Sequence, residues 1–226
     1  MKRVFLITIV LLGLMACATQ AQVPKPVTFG FKGGISISKV SGDLTDGMSS
    51  RMGFTGGFYV SMNVSPNISI QPEAIYSMKG AEEEGYIDLI DETMKAEANF
   101  DYVEIPVLIK VTVPTQSGIA TSFYAGPAVA FKTSAKFTLS VGDESATVDI
   151  DNAKSTDFGL VFGGGVQFPF GASSIGIEAR YSMGLGEFLE SADEAFTEDA
   201  INLINADGSP YNWKHGVFSL MVSYNI

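Results

Sequence analysis

Cysteine and histidine are almost absent from this sequence of 226 residues, which contains one of each, Cys17 and His215. Disulfide frameworks need paired cysteines, and zinc sites are built mainly from several cysteine and histidine ligands. We therefore expect no disulfide-stabilised domain, no metal site of this kind and no cofactor.

Basic residues are also scarce, with 14 lysines and arginines against 25 acidic residues and a formal net charge of −11. Proteins that bind the phosphate backbone usually present a basic surface, so we expect no nucleic-acid partner. Hydrophobic residues make up 46% of the chain, which is too many for a disordered protein. A length of 226 residues fits one all-β domain.

A continuous apolar run that could form a transmembrane helix is missing as well. Residues 4–16 are mainly apolar and follow Lys2 and Arg3, but a spanning helix needs about 20 residues. A basic start, a short apolar stretch and then small residues are typical of a secretory signal peptide.

The cleavage site follows from the small residues after that apolar stretch. Thr19 and Ala21 have the size and spacing that signal peptidase recognises. We predict a signal peptide over residues 1–21 and a mature domain over residues 22–226. Lipidation at Cys17 is the alternative.

The mature chain alternates between apolar and polar residues, which is the period of a β-strand. In ISIQPEAIYSMKG, which begins at Ile68, the apolar residues Ile70 and Tyr76 alternate with a set that includes Glu73 and Lys79. Eight such segments occur, each of about 11 residues, the length of a tilted transmembrane β-strand. They lie at residues 28–38, 53–64, 68–79, 102–113, 122–132, 157–168, 174–184 and 215–226.

The connections between these segments alternate between short and long, and most of the acidic residues lie in the long ones. Outer-membrane barrels have tight periplasmic turns and long extracellular loops. The pattern predicts an all-β fold, an eight-stranded antiparallel transmembrane up-and-down β-barrel. Alternating residues within 136–141 and 146–150 also predict strands that extend beyond the membrane.

One face of the predicted strands carries charges and glycines, and the other carries aromatic residues. An eight-stranded barrel is just wide enough for side chains to fill it, so the aromatic face must meet lipid. Glycines on the inward face would make room for long charged side chains. We predict a barrel-interior charge network of Lys32, Glu73, Lys79, Glu104, Lys110, Lys132, Asp157, Glu178 and Arg180. The alternative is a soluble lipocalin-like barrel with an apolar interior.

Prolines lie within three successive predicted strands, at Pro72, Pro106 and Pro127. Proline has no N–H to donate to a neighbouring strand. We therefore expect a local bulge or register adjustment at each of these positions.

Several of these blocks resemble one known family. FGFKGGISISKVSGD, ISIQPEAIYSMKG, DYVEIPVLIKVTV, FYAGPAVAFK, DFGLVFGGGVQF and IGIEARYSMGL are similar to successive blocks of the PorT-like outer-membrane β-barrel family. The resemblance covers essentially the whole mature chain. It implies a small eight-stranded barrel in the bacterial outer membrane, reached by signal-peptide-directed export and with the barrel-assembly machinery as a partner. It implies no particular activity, and Ile226 stands where the assembly signal usually ends in an aromatic residue.

Three functional hypotheses follow. The first is a barrel with a plugged polar interior and acidic extracellular loops, which has a structural or surface-interaction role and is not an enzyme. The second is a narrow channel for small solutes. The third is a membrane-embedded hydrolase that uses His215, placed at the outer rim of the last strand, although no serine partner is evident. The acidic loops could also hold divalent cations, and a protein partner is left open.

Overall fold

A computed structural model describes residues 27–42, 49–87, 92–186, 200–201 and 213–226. The expected signal peptide, its cleavage site and Cys17 lie outside these described residues. Within the described ranges, no helix is long and apolar enough to cross a membrane.

The described chain forms ten strands that all belong to one sheet. In chain order they are β1 (Val27–Gly42), β2 (Ser49–Asn63), β3 (Ile68–Ile87), β4 (Glu92–Pro114), β5 (Ala120–Val141), β6 (Glu144–Ile150), β7 (Thr156–Phe170), β8 (Ser173–Gly184), β9 (Ala200–Ile201) and β10 (Trp213–Asn225).

Eight of these strands close into a ring by antiparallel pairing between neighbours. The ring runs β1, β2, β3, β4, β5, β7, β8 and β10, and β10 pairs with β1 to close it. The short strands β6 and β9 lie outside the ring, where β6 pairs with β5 and β9 pairs in parallel with β6. The eight-stranded up-and-down barrel is therefore confirmed. A membrane barrel has its apolar side chains outside and a lipocalin-like barrel has them inside, so the burial of the side chains distinguishes the two.

Burial alternates along the ring strands in the phase expected for a membrane barrel. On β4, Val107 and Ile109 are 44% and 61% exposed, whereas Leu108 between them is fully buried. Phe58 on β2 is 69% exposed, and Glu73 on β3 is buried. An apolar outer band of this kind would be very unfavourable in water, so the surrounding solvent is lipid.

The short turns connect strands at one end of the ring and use glycine where the backbone requires it. Gly118 between β4 and β5 has a φ of 82°, and Gly171 between β7 and β8 has a φ of 63°. Residues with a Cβ atom adopt these angles at a steric cost, so glycine is favoured in such turns. The third short turn, residues 64–67, joins β2 and β3.

Two inward glycines accommodate tyrosine rings instead of the charged side chains we expected there. A Cβ atom on Gly30 would overlap the Tyr59 ring, and a Cβ atom on Gly163 would overlap the Tyr124 ring. Tyr59 and Tyr124 are buried inside the barrel. At these two positions tyrosine rings fill the room that glycine creates, whereas the space beside Gly165 is filled by Glu178, as expected.

The three prolines do not produce bulges. The β2–β3 ladder lacks pairs between Tyr59↔Glu73 and Met62↔Ile70, a gap that contains Pro72, yet the register is the same on both sides. The β3–β4 ladder is interrupted in the same way beside Pro106, and the β4–β5 ladder beside Pro127. Each proline therefore interrupts pairing with the preceding strand and keeps its pairing with the following one. The predicted bulge or register adjustment was wrong.

Register does shift elsewhere, between Ser50 and Thr55 on β2 and at Asp101/Tyr102 on β4. Opposite the second shift, the inward residues of β5 change from even-numbered to odd-numbered positions. The burial of both Ala130 and Ala135 shows this change. Beyond this point β3, β4, β5 and β6 continue as a four-stranded extension of the sheet. The expected continuation of strands past the barrel is confirmed.

The orientation of β4 can be tested by single cysteine labels at positions 103–111. Labels at the odd positions, which point outward, should be quenched by lipid-soluble quenchers. Labels at the even positions should be protected, because Leu108 and its inward neighbours are buried. The reversed parity would contradict a lipid-facing apolar surface.

Candidate functional site: the barrel interior

Glu73 is at the centre of the buried charges. Its Oε1 accepts a hydrogen bond from Lys32 Nζ at 2.9 Å and from Gln71 Nε2 at 2.7 Å. Its Oε2 lies 2.6 Å from Arg180 Nη1. A buried carboxylate is stabilised when its oxygens meet cations and hydrogen-bond donors, and both oxygens of Glu73 do so.

Lys32 connects this centre to a second carboxylate. Its Nζ lies 2.9 Å from Glu178 Oε2, which also accepts a 2.8 Å hydrogen bond from the Tyr124 hydroxyl. The ammonium lies 4.7 Å from the centre of the Tyr59 ring, a distance at which a cation is attracted to an aromatic face. Two acids and two tyrosines thus surround one lysine.

Arg180 extends the network towards the ends of the strands that carry the long loops. Its Nη2 lies 3.7 Å from Glu104 Oε2, and Glu104 Oε1 is 2.9 Å from Lys79 Nζ. The Lys79 ammonium in turn lies 4.8 Å from the centre of the Tyr102 ring. Ion pairs therefore form a continuous chain from Glu178 through Lys32, Glu73, Arg180 and Glu104 to Lys79.

The remaining acid and bases lie around this chain. Lys110 is buried and donates a 3.5 Å hydrogen bond to Gln71 Oε1. Asp157 is buried beside Lys79 and Glu104, and all three line a cavity of about 20 Å³, enough for one water molecule. Among the described residues, four carboxylates and four lysines or arginines are buried: Lys32, Glu73, Lys79, Glu104, Lys110, Asp157, Glu178 and Arg180.

Lys132 differs from the other eight residues of the expected network. It is partly buried, and its ammonium donates to the Ala153 carbonyl oxygen. Among the described residues, no carboxylate lies within ion-pair distance of it. The reason is its position beside the parity change on β5, above the part of the barrel that holds the chain of ion pairs.

An apolar cluster lies above the charges, towards the long loops. Phe100 and Tyr102 are fully buried, and Val40, Ile150 and several alanines pack with them. We call the set Val40, Ala81, Ala98, Phe100, Tyr102, Ala130, Ala135, Ile150 and Ala153 the apolar cap. The cap separates the charge network from the outer end of the barrel.

His215 packs edge-on against two rings of this cap, at 5.6 Å from Phe100 and 5.8 Å from Tyr102. It is 2% exposed, so it lies beneath the rim and not on it as expected. A hydrolase of the Ser-His-Asp type needs its histidine open to the substrate and next to a nucleophile. The buried aromatic surroundings of His215 do not favour that role.

The acidic connections show no cation site among the residues that are described. No group of three or more histidine, cysteine or acidic side chains converges there. Glu82 instead pairs with Lys95 at 3.1 Å, and Glu97 pairs with the same lysine at 3.2 Å. Asp88 and Asp91 lie outside the described residues, so cation binding at these loops stays a prediction.

The polar partners Gln71, Tyr59 and Tyr124 were not identified from the sequence. All three lie on the inward phase of their strands, which is the signal that could have revealed them. The sequence analysis assigned Tyr59 and Tyr124 to neither face, although a buried tyrosine hydroxyl usually finds a polar partner.

A closed ring of antiparallel strands, with lipid-facing apolar residues and a polar interior, defines a transmembrane β-barrel protein. A family model described as the outer membrane protein beta-barrel domain matches residues 20–190. The chain belongs to this family, and it resides in the bacterial outer membrane. Outer-membrane lipid is therefore its immediate surroundings.

Solved structures with a similar fold include three small outer-membrane proteins. Neisserial surface protein A is 14% identical, covers 86% of this chain and 95% of its own, and has a TM-score of 0.45. The attachment invasion locus protein of Yersinia pestis, in complex with the heparin analogue sucrose octasulfate, is 14% identical, covers 89% and 100%, and has a TM-score of 0.42. OprG of Pseudomonas aeruginosa is 11% identical, covers 92% and 99%, and has a TM-score of 0.45.

No curated protein matches the sequence.

The central ion pairs can be tested by replacing Glu73 with glutamine. The change leaves Lys32 and Arg180 without their shared buried carboxylate. The free energy of unfolding should therefore fall by about 3–5 kcal/mol. Urea unfolding of the refolded protein measures this as a lower midpoint. The matched control is Glu144→Gln on the exposed end of β6, which should change stability by about 0.5 kcal/mol or less. Equal midpoints for the two variants would contradict the assigned role of Glu73.

Proposed function

We propose that this protein is a closed outer-membrane barrel with a structural or surface-interaction role. The observation that carries the proposal is the filled interior, in which the chain of ion pairs is followed by the apolar cap. Charged side chains that satisfy one another fill a small barrel, in place of an aqueous channel. The apolar cap adds a second barrier, because a hydrated solute would have to pass between its closely packed and mainly apolar side chains.

The charge balance of the interior supports the same proposal. A pore that selects one kind of ion is lined by an excess of charge of one sign. Here four buried acids meet four buried bases, and most are engaged in ion pairs within 4 Å. Such an interior stabilises the barrel from within, as a rigid support for the parts outside the membrane.

The part that faces the outside is the four-stranded extension of β3, β4, β5 and β6. One face of this extension is polar, with Glu82, Lys95 and Glu97 on it. Hydrogen bonds to the Glu82 and Glu97 carboxylates raise the pKa of Lys95. Because these side chains are partly exposed to water, we assign them to the interaction surface and expect little from them for stability.

Two finer assignments belong to this proposal. The quoted blocks of sequence support membership of the PorT-like branch of outer-membrane barrels. The apolar outward residues Phe218, Leu220 and Val222 on β10 support recognition of this strand by the barrel-assembly machinery. The charge network of the barrel interior is assigned the role of a plug.

Planar-bilayer recording of the refolded protein tests the closed barrel against the channel hypothesis. The wild-type protein should produce no discrete conductance steps, because ion pairs and the apolar cap obstruct the interior. A porin recorded in the same bilayer provides the positive control. Reproducible steps that change when Arg180 is replaced by alanine would identify a narrow channel and overturn the proposal.

A further inference from the structure

The lipid-facing surface contains a concave groove where β1, β2 and β3 run side by side. The groove has a volume of about 300 Å³, which is within the range of small-molecule sites. Outward residues form its walls and a few inward residues form its floor. The lining consists of Phe29, Gly30, Phe58, Tyr59, Val60, Pro72, Glu73 and Ala74.

The groove lies in the half of the barrel near the short turns. Phe29 is close to the start of β1, and Val60 and Pro72 are each a few residues from the turn at residues 64–67. Short turns of outer-membrane barrels face the periplasm. The groove therefore opens to the periplasmic leaflet of the bilayer.

Its concave shape has a cause in the backbone. The β2–β3 ladder is interrupted between Tyr59↔Glu73 and Met62↔Ile70, beside Pro72, which cannot donate to β2. The groove follows this gap in the ladder. Ala74 contributes little side-chain volume, and the more exposed rings of Phe29 and Phe58 line the groove with it.

The chemistry of the lining points to a hydrocarbon occupant. The walls are apolar, and Phe29 and Phe58 are more than half exposed to the bilayer. Glu73 lies at the floor, but its side chain has no exposure and both oxygens are bound to Lys32, Gln71 and Arg180. A polar headgroup would find no free partner there among the described residues, whereas an alkyl chain would fill apolar space continuous with the lipid surface.

We propose that this groove binds one acyl chain of a phospholipid of the periplasmic leaflet. The apolar side chains that line the groove would contact the chain along its length, so it should exchange more slowly than lipid on the convex parts of the barrel. The site is separate from the plugged interior, and it does not depend on the proposed surface role.

The test uses the full mature chain refolded into vesicles that contain a phosphatidylethanolamine with a photoreactive acyl chain. After irradiation, mass spectrometry of the digested protein locates the crosslinks. Peptides with Phe58, Val60 and Ala74 should be labelled several-fold more than peptides with Phe162 and Ile177. Those two residues are exposed to lipid on β7 and β8, across the ring, and provide the internal control.

Filling the groove should remove the excess labelling. The Ala74→Phe variant places a ring in the groove and should reduce labelling of β2 to the level of β7 and β8. The matched control, Ala179→Phe on the exposed face of β8, should leave it unchanged. Heat-modifiable migration on a gel shows that each variant is folded, and Val60→Phe serves as a second filler if Ala74→Phe does not refold. Equal labelling around the wild-type barrel, or excess labelling that persists in a folded filler variant, would overturn the proposal.

Discussion

Backbone hydrogen bonding in a solvent without water is the constraint on which this structure depends. An unpaired N–H or C=O group in hydrocarbon costs several kcal/mol, so a sheet in the bilayer must close on itself. The ring achieves this by pairing β10 with β1 and β4 with β5. Ring closure then determines two surfaces, because successive side chains on each strand point alternately to lipid and to the interior.

The interior that results is narrow, and most of the charged side chains in it form ion pairs. Lysine and arginine reach across the ring from β1 and β8 to acids on β3 and β8. Tyrosine rings occupy the space beside glycines on neighbouring strands. An isolated charge in such a place would be very costly, which explains why acids and bases are present in equal number.

The three prolines within the strands show how the barrel sheet accommodates missing backbone hydrogen bonds. Pro72, Pro106 and Pro127 lie on three successive strands, and each interrupts the ladder on one side without changing the register. The pairs on either side of each gap hold the strands in place. Where one of these gaps lies beside the small outward residue Ala74, the outer surface becomes concave, and the lipid-binding groove we propose is found there.

The sequence by itself determined the eight-stranded fold, and it predicted an inward face carrying eight charged residues that are buried in the structure. This was possible because period-2 alternation depends on local spacing alone, and β3 and β4 display it clearly through Glu73, Lys79 and Glu104. Which acid meets which base was decided by the tertiary structure. Lys32 and Glu178 are far apart in the chain, and their 2.9 Å contact depends on ring closure and strand register. The position of Lys132, the burial of His215 and the pairing of tyrosines with glycines also depend on neighbouring strands, whose register shifts no local pattern reveals.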